Sequence, residues 1–169
     1  SASGAPTVNS TVAVTGSGVI SDVNVTLALT HSWLADLTVS LIGPSGTTVE
    51  LFTDACGNAN DASATFDDEG VAIACGNNPA IAGIVIPAQA LSAFNGENAN
   101  GTWTLRIADG ANQDGGSLTS WNLDVCSVAP PLATASNAFA YFAISPNPNN
   151  GSFNVKLNTY NAEPVNVSV

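Results

Sequence analysis

The stretch Gly96–Gly116, GENANGTWTLRIADGANQDGG, carries the argument for the whole chain. Its centre, Trp103-Thr104-Leu105-Arg106-Ile107, alternates apolar and polar side chains. That period of two is what a strand with one buried face requires. Its flanks are Asn, Gly and carboxylates, the residues that turn a chain. The same alternation recurs in Val23-Val25-Leu27-Leu29, Leu37-Val39-Leu41, Val49-Leu51 and Trp121-Leu123-Val125, with turn signals at Gly43-Pro44-Ser45-Gly46 and Asp114-Gly115-Gly116 between them. No segment shows a helical period, and Ala88 to Phe94 has room for one short turn. Many short alternating strands predict an all-β sandwich or jelly roll built from antiparallel pairs. Trp103 and Trp121 are expected to anchor its core across a hairpin.

The 169 residues are enough for one ordinary domain with some chain left over, and 45% of them are hydrophobic. Lys and Arg total 2 against 13 Asp and Glu, a net charge of −11. Nucleic acid is bound by displacing counterions with basic side chains, and Arg106 and Lys156 alone do not make such a surface. Anionic lipid is disfavoured for the same reason. No apolar run reaches the roughly 18 residues that would suggest a membrane-spanning helix. The chain opens on Ser1-Ala2-Ser3-Gly4 without a charged and apolar leader, so it is expected to derive from a longer precursor.

Calcium prefers the carboxylate and carbonyl oxygens in which this chain is rich. If residues 23–30, 36–42 and 47–53 form an up-and-down meander, Asp36 approaches Asp54, Asp61, Asp67 and Asp68 at one end. No cationic side chain lies nearby in sequence, so a bound calcium ion is the expected partner of that set. A second, weaker metal candidate is Asp109, Asn112 and Asp114. Its spacing resembles part of an EF-hand loop but lacks the closing Glu. Of the three cysteines, Cys56 and Cys75 flank one polar loop and are the expected disulfide, leaving Cys126 over.

Catalytic apparatus is not evident. His31 is the single histidine, and its position just past a strand end suits a structural role bonding a neighbouring loop. There is no Gly-x-Ser-x-Gly elbow, no His-Glu-x-x-His and no phosphate-binding glycine loop.

The segments HSWLADLTVSLIGPSGTTVEL, FNGENANGTWTLRIAD and GGSLTSWNLDV resemble the P domain (P/Homo B domain) of proprotein convertases and secreted bacterial proteases. The resemblance is carried by His31, Asp36-Leu37, Pro44-Ser45-Gly46-Thr47, Gly96-Glu97, Gly101, Trp103, Leu105, Asp109, Gly116, Leu118 and Trp121. It implies a jelly-roll β-sandwich of about eight strands. It also implies a non-catalytic module that stabilises or regulates a catalytic domain upstream in the same precursor. The alternative is an adhesion or substrate-binding module for protein fibres or surface glycans.

A Pro/Ala/Ser linker at 127–137 divides residues 1–126 from 138–169. The tail FAISPNPNNGSFNVKLN, with Pro146, Asn147, Pro148 and Gly151, resembles the opening of a type IX secretion C-terminal sorting domain. That implies recognition by the type IX machinery and an extracellular or cell-surface location. Its alternating residues predict the first strands of a second, partial β-domain.

Overall fold

The computed structural model describes residues 6–16, 18–111, 114–128, 139–145 and 154–159. The chain divides into two compact units, Ser1–Pro130 and Pro131–Val169. In the first, the strands in chain order are β1 (Thr7–Val14), β2 (Val19–His31), β3 (Leu37–Ile42), β4 (Thr48–Thr53), β5 (Ala62–Val71), β6 (Ile81–Val85), β7 (Gly101–Asp109) and β8 (Gly116–Val128). They form two four-stranded sheets, ordered β1-β7-β3-β4 and β6-β5-β2-β8. The all-β two-layer sandwich expected from the alternation is therefore what forms.

The alternating residues fill the space between the sheets. Val23, Val25, Leu27 and Leu29 face in from one sheet, and Val39, Leu41, Trp103 and Leu105 from the other, all buried. Trp103 is fully buried, stacks edge-on to Phe94 with centroids 5.0 Å apart, and donates its indole N–H to the Ala99 carbonyl at 3.0 Å. Its one polar atom is thus satisfied within the apolar layer. Gly43 passes against this pair: a Cβ there would stand 3.0 Å from the Phe94 ring.

Three details differ from the sequence expectation. The first three long strands are not a meander, because β2 belongs to one sheet and β3 to the other. The short 3-10 turn Leu34–Asp36 carries the chain across the layer, with Leu34 buried. Likewise β7 and β8 lie in different sheets, so Trp103 and Trp121 are not partners across a hairpin. Trp121 is half-buried and donates its indole N–H to Ser10 Oγ on β1, at 2.9 Å. The sheets also contain one parallel pair, β5 with β6. Residues 72–80 run back past the start of β5, where Ala80 N–H meets the Asn60 and Asp61 carbonyls at 2.9 Å. That return loop is fastened by the Cys56–Cys75 disulfide, as expected. Cys126 is exposed and free.

The turn motifs hold each other. Gly43 N–H and the Thr47 carbonyl close the β3–β4 hairpin at 2.9 Å, and the Ser45 and Thr47 hydroxyls both donate to the Glu97 carboxylate. The Pro-Ser-Gly-Thr turn and the Gly96-Glu97 turn are thus one polar joint. Within Gly96–Gly116, Gly101–Asp109 is an inner strand of its sheet, preceded by the 3-10 turn Leu91–Phe94.

The second unit contains the antiparallel pair β9 (Phe139–Ser145) and β10 (Asn154–Thr159), with Ser145 opposite Asn154. Pro146, Asn147, Pro148 and Gly151 lie outside the described residues.

Because Trp103 fills the centre of the layer, Trp103→Ala should lower the unfolding free energy by about 3–5 kcal/mol, measured by urea denaturation. A loss below about 1 kcal/mol would show that the packing around it is not the core.

Candidate functional site

The polar residues that converge do so at one rim of the sandwich, where β2 ends, β7 ends and β8 begins. His31 closes β2 and is buried, as is Asp109 at the end of β7. The imidazole Nε2 lies 3.4 Å from Asp109 Oδ2. Nδ1 lies 2.9 Å from the Trp33 carbonyl and 3.1 Å from the Trp33 amide nitrogen, so the ring orientation is set by the backbone of its own turn. Asp114 Oδ2 accepts from the Ser32 hydroxyl at 3.1 Å and stands 4.0 Å from Nδ1. One ligand atom from each of His31, Asp109 and Asp114 lies within 4.8 Å of the others.

Local chain geometry makes this possible. Asp109 Oδ1 accepts the Ala111 N–H at 3.0 Å, the bond by which an Asp two residues back bends a chain out of a strand. Gly110 N–H is anchored on the Asp36 carbonyl at 2.7 Å. Gly116 pairs with His31, and a Cβ at Gly116 would overlap the Thr30 carbonyl. Glycine alone lets β8 start this close to β2. Between the sheets at this rim is a cavity of about 200 Å³. Val8, Leu29, Leu37, Ile107 and Leu118 form its apolar wall, and His31, Asp109 and Asp114 its polar one.

The other expected residues separate into two groups. Asp36, Asp54 and Asp61 are at the His31 end: Asp54 N–H reaches the Leu37 carbonyl and Asp61 N–H the His31 carbonyl. Asp61 Oδ1 accepts the His31 N–H at 2.9 Å. Asp54, Cys56 and Asp61 all hold positive φ, so this loop is tightly wound around the rim. Asp67 and Asp68 are six and seven residues further along β5, about 20 Å away at strand rise. Asp68 spends both oxygens on the Leu91 and Ser92 N–H groups, each 2.8 Å away, capping the Leu91–Phe94 turn. Among the described residues, the five expected calcium ligands do not form a single cluster of ligand atoms. Asn112 of the weaker candidate lies outside the described residues, while its companions Asp109 and Asp114 do meet. The sequence reading placed those two in a hairpin loop and missed His31, which is 78 residues from Asp109. Only the β2–β8 and β3–β7 pairings bring them together.

Residues 20–125 match the proprotein convertase P-domain family. The chain belongs to that family. It is 28% identical over 117 residues to a calcium-dependent protease of Trichormus variabilis, covering 68% of this chain and 15% of that protein. It is 31% identical over 118 residues to a transglutaminase-activating metalloprotease of Streptomyces mobaraensis, covering 69% of this chain and 12% of that protein. A solved serine protease of Aeromonas sobria matches at 23% identity with a TM-score of 0.45, covering 69% of this chain and 22% of that structure. The chain thus spans under a sixth of the length of the two curated proteases.

The acidic residues away from the rim carry a pH consequence. Glu69 N–H donates to Asp67 Oδ1 at 2.8 Å, and its carboxyl is held above the usual range, chiefly by its side-chain hydrogen bond and charge contact with Asp67. The folded state therefore favours protonated Glu69, and that contribution is lost as pH rises through its folded pKa. Glu69→Gln should raise the melting temperature at neutral pH and leave it unchanged near pH 3. An equal shift at both pH values would remove the carboxylate repulsion as its cause.

Proposed function

We propose that this P domain is a non-catalytic accessory module of a secreted peptidase, and that it stabilises the catalytic domain preceding it in the same precursor. The observation that carries this is the family match at residues 20–125, together with two proteases that share only this module-sized part. The rim supports the non-catalytic reading. Nε2 of the lone histidine, the atom that would activate a serine in a triad, faces the Asp109 carboxylate instead. The Cys56–Cys75 disulfide supports an extracellular location, since such bonds persist outside the reducing cytosol. Export by the type IX route rests on the tail sequence around Pro146, Asn147, Pro148 and Gly151.

Deleting residues 1–126 from the parent protein should shorten its activity half-life at elevated temperature, while turnover per surviving active molecule stays the same. An unchanged half-life overturns the stabilising role. Retention of the isolated chain on collagen or cellulose would instead favour the adhesion reading.

Calcium is the cofactor that the sequence and one relative's name suggest, and Asp36, Asp54, Asp61, Asp67 and Asp68 were its expected ligands. With Asp67 and Asp68 about 20 Å along β5 from the rest, the calcium reading rests on Asp36, Asp54 and Asp61 at the His31 rim. EDTA should then lower the melting temperature of the chain, and Asp54→Ala should erase that difference. Coincident melting in calcium and in EDTA would discard the ion.

A further inference from the structure

Three side chains meet at the His31 rim, and each has one polar atom held by the chain and one left over. His31 Nδ1 lies 2.9 Å from the Trp33 carbonyl, Asp109 Oδ1 accepts the Ala111 N–H at 3.0 Å, and Asp114 Oδ2 accepts the Ser32 hydroxyl at 3.1 Å. Left over are His31 Nε2, Asp109 Oδ2 and Asp114 Oδ1. One ligand atom from each of the three residues lies within 4.8 Å of the others. The His31 and Asp109 side chains are only 4% and 9% exposed, so water does not supply their partners. Arg106 does not either: it is exposed on β7, on the face opposite Leu105 and Ile107.

The hydrogen bonds decide what the leftover atoms can accept. Of the two backbone contacts of Nδ1, the shorter is to the Trp33 carbonyl, which only accepts, so Nδ1 carries the ring proton. Nε2 then turns a lone pair towards Asp109 Oδ2. Two buried acceptors that face each other need a cation between them. Asp114 Oδ1 has no hydrogen-bond partner among the described residues and almost no accessible surface. Closure to water does not close it to a metal ion, which sits about 2 Å from a ligand oxygen, nearer than water can approach.

One measured distance selects the cation. Nε2 and Asp109 Oδ2 stand 3.4 Å apart. A charge-assisted N–H···O bond would draw them to about 2.7–2.9 Å. Two acceptors sharing one ammonium, each about 2.8 Å from its nitrogen, would stand about 4.6 Å apart. Two ligands at about 2.0–2.1 Å from a tetrahedral zinc ion stand about 3.4 Å apart. Calcium takes oxygen ligands, whereas zinc and its first-row neighbours accept imidazole beside carboxylate. The bond from Nδ1–H to a backbone carbonyl is also the outer contact that orients a metal-binding imidazole.

We propose that His31, Asp109 and Asp114 bind a first-row transition-metal ion, zinc foremost, through Nε2 and one oxygen of each carboxylate. The ion ties the end of β2 to the end of β7 and the start of β8. The inference is independent of the accessory reading and of calcium at Asp36, Asp54 and Asp61, since it uses none of those residues.

His31 is the single histidine, so the imidazole spectrum reports this site alone. The test is a titration of the ¹⁵N-labelled full chain with zinc chloride, read at the two imidazole nitrogens. One equivalent should move the Nε2 resonance and leave Nδ1 protonated, while calcium chloride at the same concentration leaves both in place. Asp114→Asn should weaken zinc binding at least about tenfold. An Nε2 resonance that zinc does not move, one that calcium moves equally, or an unchanged zinc affinity in Asp114→Asn overturns the proposal. If Asp114→Asn does not fold, the imidazole titration of the unsubstituted chain decides by itself.

Discussion

Apolar burial between two sheets that the chain visits in turn is the constraint on which everything else here depends. A strand that presents Leu27 and Leu29 to one side needs a facing layer, and Leu41, Trp103 and Leu105 provide it from the other sheet. Because neighbours in sequence often sit in opposite sheets, the chain must cross the layer at its rims. At one rim it crosses three times, after β2, after β4 and after β7. Backbone that leaves a sheet needs partners for its N–H and carbonyl groups. At this rim they are found in the Asp36 carbonyl, the Asp61 carbonyl and side chain, and the Asp109 side chain.

That requirement gives several of the carboxylates near strand ends a backbone or hydroxyl partner. Asp68 caps a turn, Asp61 takes the His31 N–H, Asp109 bends the chain after β7, and Glu97 ties two turns together. In a chain with 2 cationic side chains, backbone amides and hydroxyls are the donors that carboxylates can reach. The acidity of the sequence is in good part an inventory of such bonds.

The legible part of the fold was the alternation. Val23 to Leu29, Leu37 to Leu41 and Trp103 to Ile107 could be assigned to half-buried strands because period two leaves no other economical burial. The disulfide was legible from the loop it closes. Sheet membership was not, since a strand that crosses to the facing sheet and one that folds back beside its neighbour show the same alternation. The meander and the Trp103–Trp121 hairpin failed for that reason, while the five-Asp set split because residues 62–71, read as part of one polar loop, form β5 and carry Asp67 and Asp68 away from Asp36, Asp54 and Asp61. His31 with Asp109 was equally hidden: nothing local links residues 78 apart, and only strand register sets them 3.4 Å from each other.

The return loop before β6 has a consequence of its own. A protease cuts a segment that can pull free and stretch across its active-site groove. Between Cys56 and Cys75 the polypeptide is shackled covalently, while Ala80 is laced to Asn60 and Asp61. That loop is thus denied the slack that scission demands.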